Sequence, residues 1–377
     1  MKWRRTWAVA RKEFVHVWRD PGSLAMALAM PVCLLMLVGY AMTLDVDNVP
    51  LVVWDQSGTE RSRELISRFA GSRYFSVRYR ANNYADLVYG IDQGQVIMGL
   101  VVPRDFAQQV GAGRNAPVQM IVDGTDSNTA TIALGYADVI AQIYGLDLSV
   151  EQSQRHGGAR PAIPLDVRPR VWFNEDLNSR NYLVPGLIAV IMMVISAMLT
   201  SLTVAREWER GTMEQLISTP VKVSEVIVGK LVPYFAVGAV SVVLAMVMGA
   251  FVFHVPLRGS VALVLGTSAL FLVGSLSMGI LISIVTKNQL LANQLAGVAT
   301  FLPAFLLSGF IYNIGNMPQV IQWVTYLVPA RYFVGLLKAI YLKGVGLEIL
   351  AGDILLLLIF AAVMLLLAHF TFHKRLE

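Results

Sequence analysis

Charge and cysteine are the two things this sequence has least of. Only 15% of its 377 residues are Asp, Glu, Lys or Arg, against roughly a quarter in an ordinary soluble domain. The lone cysteine, Cys33, excludes an internal disulfide, and with five scattered histidines it leaves no metal-ligand spacing. No H-E-x-x-H and no G-x-S-x-G occurs, so neither a zinc peptidase nor a serine hydrolase elbow is encoded. A phosphate-binding G-x-x-x-x-G-K-[ST] is missing too. Its nearest echo, Gly229-Lys230, has Ser224 where the first glycine belongs and Leu231 after the lysine. Asp123 and Asp126 in "VDGTDSN" are the one acidic pair a cation would use. Asp-Gly is a turn signal, however, and Asp126–Asn128 reads as a helix start. The chain is therefore expected to bind no metal or cofactor of its own and to catalyse nothing alone.

What is abundant is apolar sequence, 56% of the chain, with a mean hydropathy of +0.60. It is gathered into blocks, the pattern of membrane-spanning helices of about 20 residues. Six are predicted: Leu24–Leu44, Tyr182–Ala205, Leu231–Val252, Val261–Thr286, Leu295–Tyr312 and Ile354–Phe372. Thirteen Lys and Arg lie in the flanks on one side, six of them within residues 1–23, against Arg258, Arg331, Lys338 and Lys343 on the other. This asymmetry places both termini in the cytoplasm. The formal charge of +5 reports that topology and calls for no nucleic-acid partner. The first apolar run is too long for a signal peptide and lacks a good small-x-small cleavage site, so it reads as a retained anchor.

Between the first two spans, residues 45–181 carry 16 acidic and 13 basic residues, every base an arginine. Their pattern alternates strand and helix: "VPLVVWD", a helix through Phe69, "YFSVRYR", a helix over Tyr84–Asp92, "VIMGLVVP", a short helix, "APVQMIVDG", and a long helix from Asn128 capped by Asp126 or Ser127. A last extended run, "DVRPRVWFN", leads back to the membrane. An α/β domain follows, long enough to build a core without disulfides. The N-terminal residues 1–23 contain Trp3, Trp7, Ala10, Phe14, Val17 and Trp18 at helical spacing, with Arg11, Lys12 and other bases on other faces. That is the signature of a helix lying in the membrane surface. Between the last two spans, residues 316–343 are expected to form two short amphipathic helices, split at Pro329, that lie at the outer interface or dip partway into the membrane as a re-entrant pair. Residues 373–377 make a cytoplasmic tail.

No ionisable residue falls at mid-depth in a predicted span, which argues against proton coupling. The spans hold instead proline, small residues and methionine. Met30, Pro31, Pro185, Met192, Pro303, Phe305 and Phe310 are the candidates for a transport path or gate, although methionine there also serves as packing. Such a body has no energy source. The one dense charge patch between spans is "AREWERGTMEQLISTP", and its residues Arg206, Glu207, Glu209, Arg210, Thr212 and Glu214 fall on the cytoplasmic side of a helix-compatible segment, 206–218. Gly211 is the weak point of that helix.

The segments "RKEFVHVWRDP", "REWERGTMEQLISTPV", "LLSGFIYNIGNMP" and "LVPARYFVGLLKAIYLKG", in this order along the whole chain, resemble ABC transporter permeases of the type-2 exporter class, in the subset with a large insertion after the first span. The resemblance implies an α-helical integral membrane protein with six transmembrane helices, an inserted extracytoplasmic (periplasmic) α/β domain and an amphipathic N-terminal helix. It implies a permease subunit in a bacterial inner membrane, dimerising with itself or a sister permease. A separate cytoplasmic ABC ATPase would supply ATP and magnesium, seated on 206–218 as a coupling helix contiguous with span two. A periplasmic adaptor and an outer-membrane channel accompany some members of that subset. The cargo expected is hydrophobic or amphipathic, a drug or a lipid-like molecule. The competing reading is a membrane-anchored receptor or scaffold whose outer domain binds a partner. A membrane-embedded enzyme is a weaker one, since no catalytic residues converge at any span end.

Overall fold

In the computed structural model, which describes residues 2–42, 46–155, 172–174 and 178–372, the chain divides into two compact units, Leu44–Arg170 and the rest. The larger unit opens with helix α1, Trp3–Arg19. A single turn, Pro21–Leu24, runs without a break into α2, Ala25–Ala41. Its first five residues, Ala25–Ala29, form a π-helical turn. Pro31 explains why this turn needs help: without an N–H it leaves the carbonyl four residues back, that of Ala27, without its helical partner. Ser241 repairs the gap, its hydroxyl donating to the Ala27 carbonyl at 2.7 Å. Lipid offers no such donor.

The chain then builds the smaller unit from β1 (Val49–Asp55), α3 (Glu60–Ala70), β2 (Phe75–Arg80), α4 (Tyr84–Asp92), β3 (Met98–Val102), α5 (Phe106–Gly111), β4 (Gln119–Val122) and α6 (Ser127–Arg155). Strand order is β2-β1-β3-β4, with the first two pairings parallel and β3–β4 antiparallel. All five residues of β3 are buried, as a run of apolar residues at a sheet centre should be. Thr59 and Ser62 cap α3 reciprocally, and Asp126 Oδ1 accepts from Asn128 and Thr129 N–H at the head of α6. Those bonds hold the Asp126 carboxyl below its usual range, the Thr129 side chain foremost. Asp123 is likewise spent locally, on Thr125. Leu65, Phe69, Phe75, Leu100 and Ala137 share one core beneath the sheet. "DVRPRVWFN" lies mainly outside the described residues, as does the tail 373–377.

The larger unit resumes with α7 (Ser179–Glu209), α8 (Thr212–Ser218), α9 (Val223–Phe251), α10 (Val261–Thr286), α11 (Gln289–Leu307), α12 (Gln319–Thr325), α13 (Pro329–Lys338, continued as the π-helical Ala339–Lys343) and α14 (Leu347–Thr371). Among the described residues five helices, α7, α9, α10, α11 and α14, are long and apolar enough to cross a membrane, while α12 and α13 form a pair bent by 85°. The 17-residue α2 is apolar but shorter. Span five is shifted from its predicted Leu295–Tyr312. Asn288 caps α11 by accepting from Leu291 N–H, so the helix begins at Gln289 and ends by Ser308, with Gly309 at a positive φ of 78°.

Helix α7 is the axle of this unit, with 83% of its apolar window buried, against 22% for α11 and 17% for α14. Its closest crossing is with α10. A Cβ at Gly279 would lie 2.2 Å from the Ala197 carbonyl oxygen, and Thr200 Oγ1 donates to the Leu276 carbonyl at 2.8 Å. Small residues and a hydroxyl, not apolar bulk, drive helix contact where the solvent is itself apolar. The two short helices of the bent pair differ sharply. Phe333, Leu336, Leu337 and Ile340 of the second are buried, while Val320 and Trp323 of the first, and Leu327 just after it, are exposed by 74% or more.

Candidate functional site

Helix α1 carries two faces side by side. Trp3, Trp7, Phe14 and Trp18 are all more than half exposed, whereas Thr6, Val9, Ala10, Glu13 and Val17 are buried. The predicted stripe thus splits, Ala10 and Val17 packing inward and the aromatics staying outside, flanked by Arg4, Arg11 and Lys12. The buried face sits on α9 at Gly229, where a Cβ would meet Val9 Cβ at 2.7 Å and the Thr6 carbonyl at 3.1 Å. At the foot of α9 the covered carboxylate of Glu225 accepts from Lys2 N–H at 2.6 Å and Lys222 N–H at 3.0 Å.

That close seating carries an acid inside. Glu13 Oε1 lies 2.8 Å from Lys230 Nζ, and Glu207 Oε2 lies 3.1 Å from the same ammonium. Lys12 Nζ closes the chain on Glu207 Oε1 at 2.9 Å. The side chains of Glu13, Lys230 and Glu207 are 5%, 1% and 9% exposed, and that of Lys12 58%. Lys230 also donates to the Thr203 carbonyl at 3.4 Å. Two acids and two bases therefore tie α1, α7 and α9 together with no net charge. Burial alone would depress the Lys12 ammonium, but the bond to Glu207 and the charges of Glu207 and Glu13 hold it above its ordinary value.

A second knot adjoins the first. Arg206 pairs with Asp20 at 3.2 Å, donates from Nε to Gln289 Oε1 at 3.2 Å and meets the ring nitrogen of His16. Burial, reinforced by the Arg206 charge, pushes the His16 imidazole below its ordinary pKa. Glu209 accepts from Gln289 N–H at 2.8 Å, and Lys287 stands 4.8 Å over the Trp208 ring. The end of α7 is thereby bound to the α10–α11 turn. Between the knots lies a polar cleft of about 130 Å³, lined by Lys12, His16, Arg206, Glu207, Arg210 and Thr212 among others.

The predicted coupling helix is not one piece. Arg210 N–H returns to the Arg206 carbonyl, Gly211 N–H returns to that of Trp208, and Gly211 adopts φ 68°. A left-handed glycine at a helix end is the usual stop, so α7 ends and α8 starts anew. Met213 of α8 is buried, and Glu214, Gln215 and Ser218 are exposed. Glu209 and Arg210 are exposed as well, with Thr212 half-buried and its hydroxyl donating to the Glu207 carbonyl at 3.4 Å. Glu207 departs from expectation. It was read as a surface contact, but its carboxylate is sunk between Lys12 and Lys230 and presents nothing outward.

The path candidates also separate. Met30 is 39% exposed on α2, and Pro303 and Phe305 are half-buried on α11. Pro31, Pro185, Met192 and Phe310 are buried. Phe310 fills the notch at Gly186, where a Cβ would sit 2.7 Å from its ring. Because α7 is central, Pro185, Met192 and Phe310 pack the interior. Nearby, Lys338 donates to the Gly309 carbonyl at 2.9 Å from above the Tyr182 ring, a latch between α13, α11 and α7.

Glu13, Lys230 and Thr203 were missed from sequence. Glu13 had a signal, being the acid that falls in helical register with Thr6, Val9, Ala10 and Val17. Lys230 was counted as a topology charge.

The family model described as "ABC-2 family transporter protein" matches residues 21–370, spanning both units. The chain belongs to the ABC-2 family of transporter permeases. It is 38% identical over 378 residues to "Probable multidrug ABC transporter permease YbhS" of Escherichia coli K12, covering 100% of this chain and 99% of that protein. To "Probable multidrug ABC transporter permease YbhR" of the same strain it is 31% identical, covering 95% of each. To "Inner membrane transport permease YhhJ" it is 27% identical, over 86% of this chain and 85% of that one. An ABC-2 permease is a membrane-embedded subunit of a transporter, and membership implies an ATPase partner and a dimeric assembly.

Proposed function

We propose that this ABC-2 permease is an exporter subunit moving a hydrophobic or amphipathic molecule, drug or lipid-like, out of the cytoplasm or inner leaflet of a bacterial inner membrane. Work enters through α8 and the exposed end of α7. The observation carrying this is the arrangement around Gly211: a short helix with Met213 buried and Glu214, Gln215 and Ser218 outward, seated beside a rigid, charge-neutral knot that joins three helices. A push on α8 is delivered to α7, and through Glu207–Lys230–Glu13 to α9 and α1. This is a two-state element biased by a partner. The relatives named multidrug permeases support the cargo class, and the basic flanks support cytoplasmic termini. The α1 aromatics with Arg11 and Lys12 lie in the inner membrane surface.

In this reading the α/β unit is extracytoplasmic and docks or gates, with a periplasmic adaptor and outer-membrane channel as its candidate partners. Met30, Pro303 and Phe305 remain the path candidates. The test is charge reversal on exposed residues that do not hold α7 to the α10–α11 turn, Arg210→Glu and Glu214→Lys. Efflux from vesicles should fall while insertion and melting temperature hold, and ATP hydrolysis should no longer follow cargo. Efflux and ATPase retention both at wild-type level would refute the role of this surface.

A further inference from the structure

At the end of α7 remote from the ion-pair knots, a polar cleft of about 330 Å³ opens between the start of α7, the turn after α9 and the approach to α10. Its lining includes Arg180, Arg258, His254 and the side chains of Asn174, Asn178 and Asn181. Arg180, His254 and Arg258 are exposed, and among the described residues no carboxylate pairs with any of them. The Arg180 guanidinium instead lies 5.9 Å over the Tyr40 ring. The amides are largely spent locally, Asn181 Nδ2 donating to Asn174 Oδ1, Asn174 Nδ2 to the Asn178 carbonyl and Arg180 N–H to Asn178 Oδ1. The two guanidiniums and the imidazole are left as the receptor for an anion, and a guanidinium suits phosphate oxygens in particular.

An apolar strip leads away from this cleft. Tyr40 packs at a tilt against Phe253 of the cleft wall, ring centroids 5.2 Å apart. From Tyr40 the exposed face of α2 continues through the adjacent Leu37 and Met36 to Cys33 and Met30, at helical spacings of three or four. At 1.5 Å per residue that strip is about 15 Å long, the depth of one leaflet of a hydrocarbon core about 30 Å thick. We propose that this is a phospholipid site: the cleft holds the phosphate of an anionic headgroup and the α2 strip carries an acyl chain. Two guanidiniums with no carboxylate partner among the described residues favour a lipid of net negative charge over a zwitterionic one. The proposal needs no assignment of cargo or direction of transport.

The experiment is native mass spectrometry of the full-length chain from micelles containing equal phosphatidylglycerol and phosphatidylcholine. Wild type should retain one phosphatidylglycerol in preference. The Arg180→Gln/Arg258→Gln variant should lose that preference by about tenfold or more, two charge-assisted contacts being removed. Both arginines are exposed, and an unchanged melting temperature confirms the variant's fold. Arg258→Lys, which keeps charge but loses the fork, should show a partial loss. A fluorophore on Cys33 locates the chain: phosphatidylglycerol with a nitroxide in its acyl tail should quench it in wild type and not in the double variant. Equal retention of the two lipids, retention unaffected by the double variant, or millimolar inorganic phosphate binding without any lipid-dependent quenching would overturn the proposal. The last of these would mark a free-anion site.

Discussion

Replacing Lys230 by methionine keeps most of its volume and removes one positive charge from a knot otherwise neutral. Glu13 and Glu207, with side chains 5% and 9% exposed, would then share only Lys12, whose own side chain is 58% exposed. Removing one partner of a buried ion pair costs about 3–5 kcal/mol, because an uncompensated charge remains in a poorly polarisable interior. Lys12→Ala, by contrast, breaks a pair exposed on one side and should cost about 1 kcal/mol or less. Adding Glu13→Gln to Lys230→Met restores neutrality and should recover most of the loss. Thermal unfolding of purified full-length variants in detergent, followed by size-exclusion monodispersity, reads all three. If Lys230→Met melted within about 1 kcal/mol of wild type, or if Glu13→Gln deepened its defect, the charge reasoning would be wrong.

Gly229→Val should lift α1 off α9, since its Cβ would already meet Val9 at 2.7 Å. A cost of about 1–3 kcal/mol is expected, and trypsin should newly cut within the first 19 residues. Ser241→Ala orphans the Ala27 carbonyl that Pro31 cannot serve and should cost about 1–3 kcal/mol, whereas Ser241→Thr should be tolerated. Gly211→Ala forces a side chain into φ 68° at about 1–2 kcal/mol. Gly211→Asn should be milder in both melting and efflux. The pH dependence follows from His16, whose imidazole is held below its ordinary pKa by burial and Arg206. Its contribution is intact above the ordinary histidine value of about 6.5 and is lost as pH falls through the lower folded value. Melting between pH 7 and 5 should therefore decline more in wild type than in His16→Gln.

The sequence carried the smaller unit almost whole. Val49–Asp55 and Tyr84–Asp92 stand where their patterns put them, because alternation, turn residues and an aspartate cap are local signals. The apolar spans were legible for the same reason, as runs of one composition. Three features were not legible. Gly211 was legible as the weak point of 206–218, but not the left-handed turn at φ 68° that divides the segment in two. The inward turn of Glu207 depends on Lys230, 23 residues away, and on α1 docking at Gly229. A charged residue near a span end reads as topology until a partner is brought beside it. The buried face of α13 and the bare face of α12 are equally apolar in sequence, and only tertiary packing tells them apart.

The most direct test of the proposed work-input surface is site-specific crosslinking in a Cys33→Ser background. Gln215→Cys on the exposed face of α8 should give a permease–ATPase adduct in membranes, lost when Arg210→Glu and Glu214→Lys are added. His254→Cys, at the other end of the bundle, should give none. An adduct from His254→Cys with none from Gln215→Cys would contradict both the coupling role and the orientation.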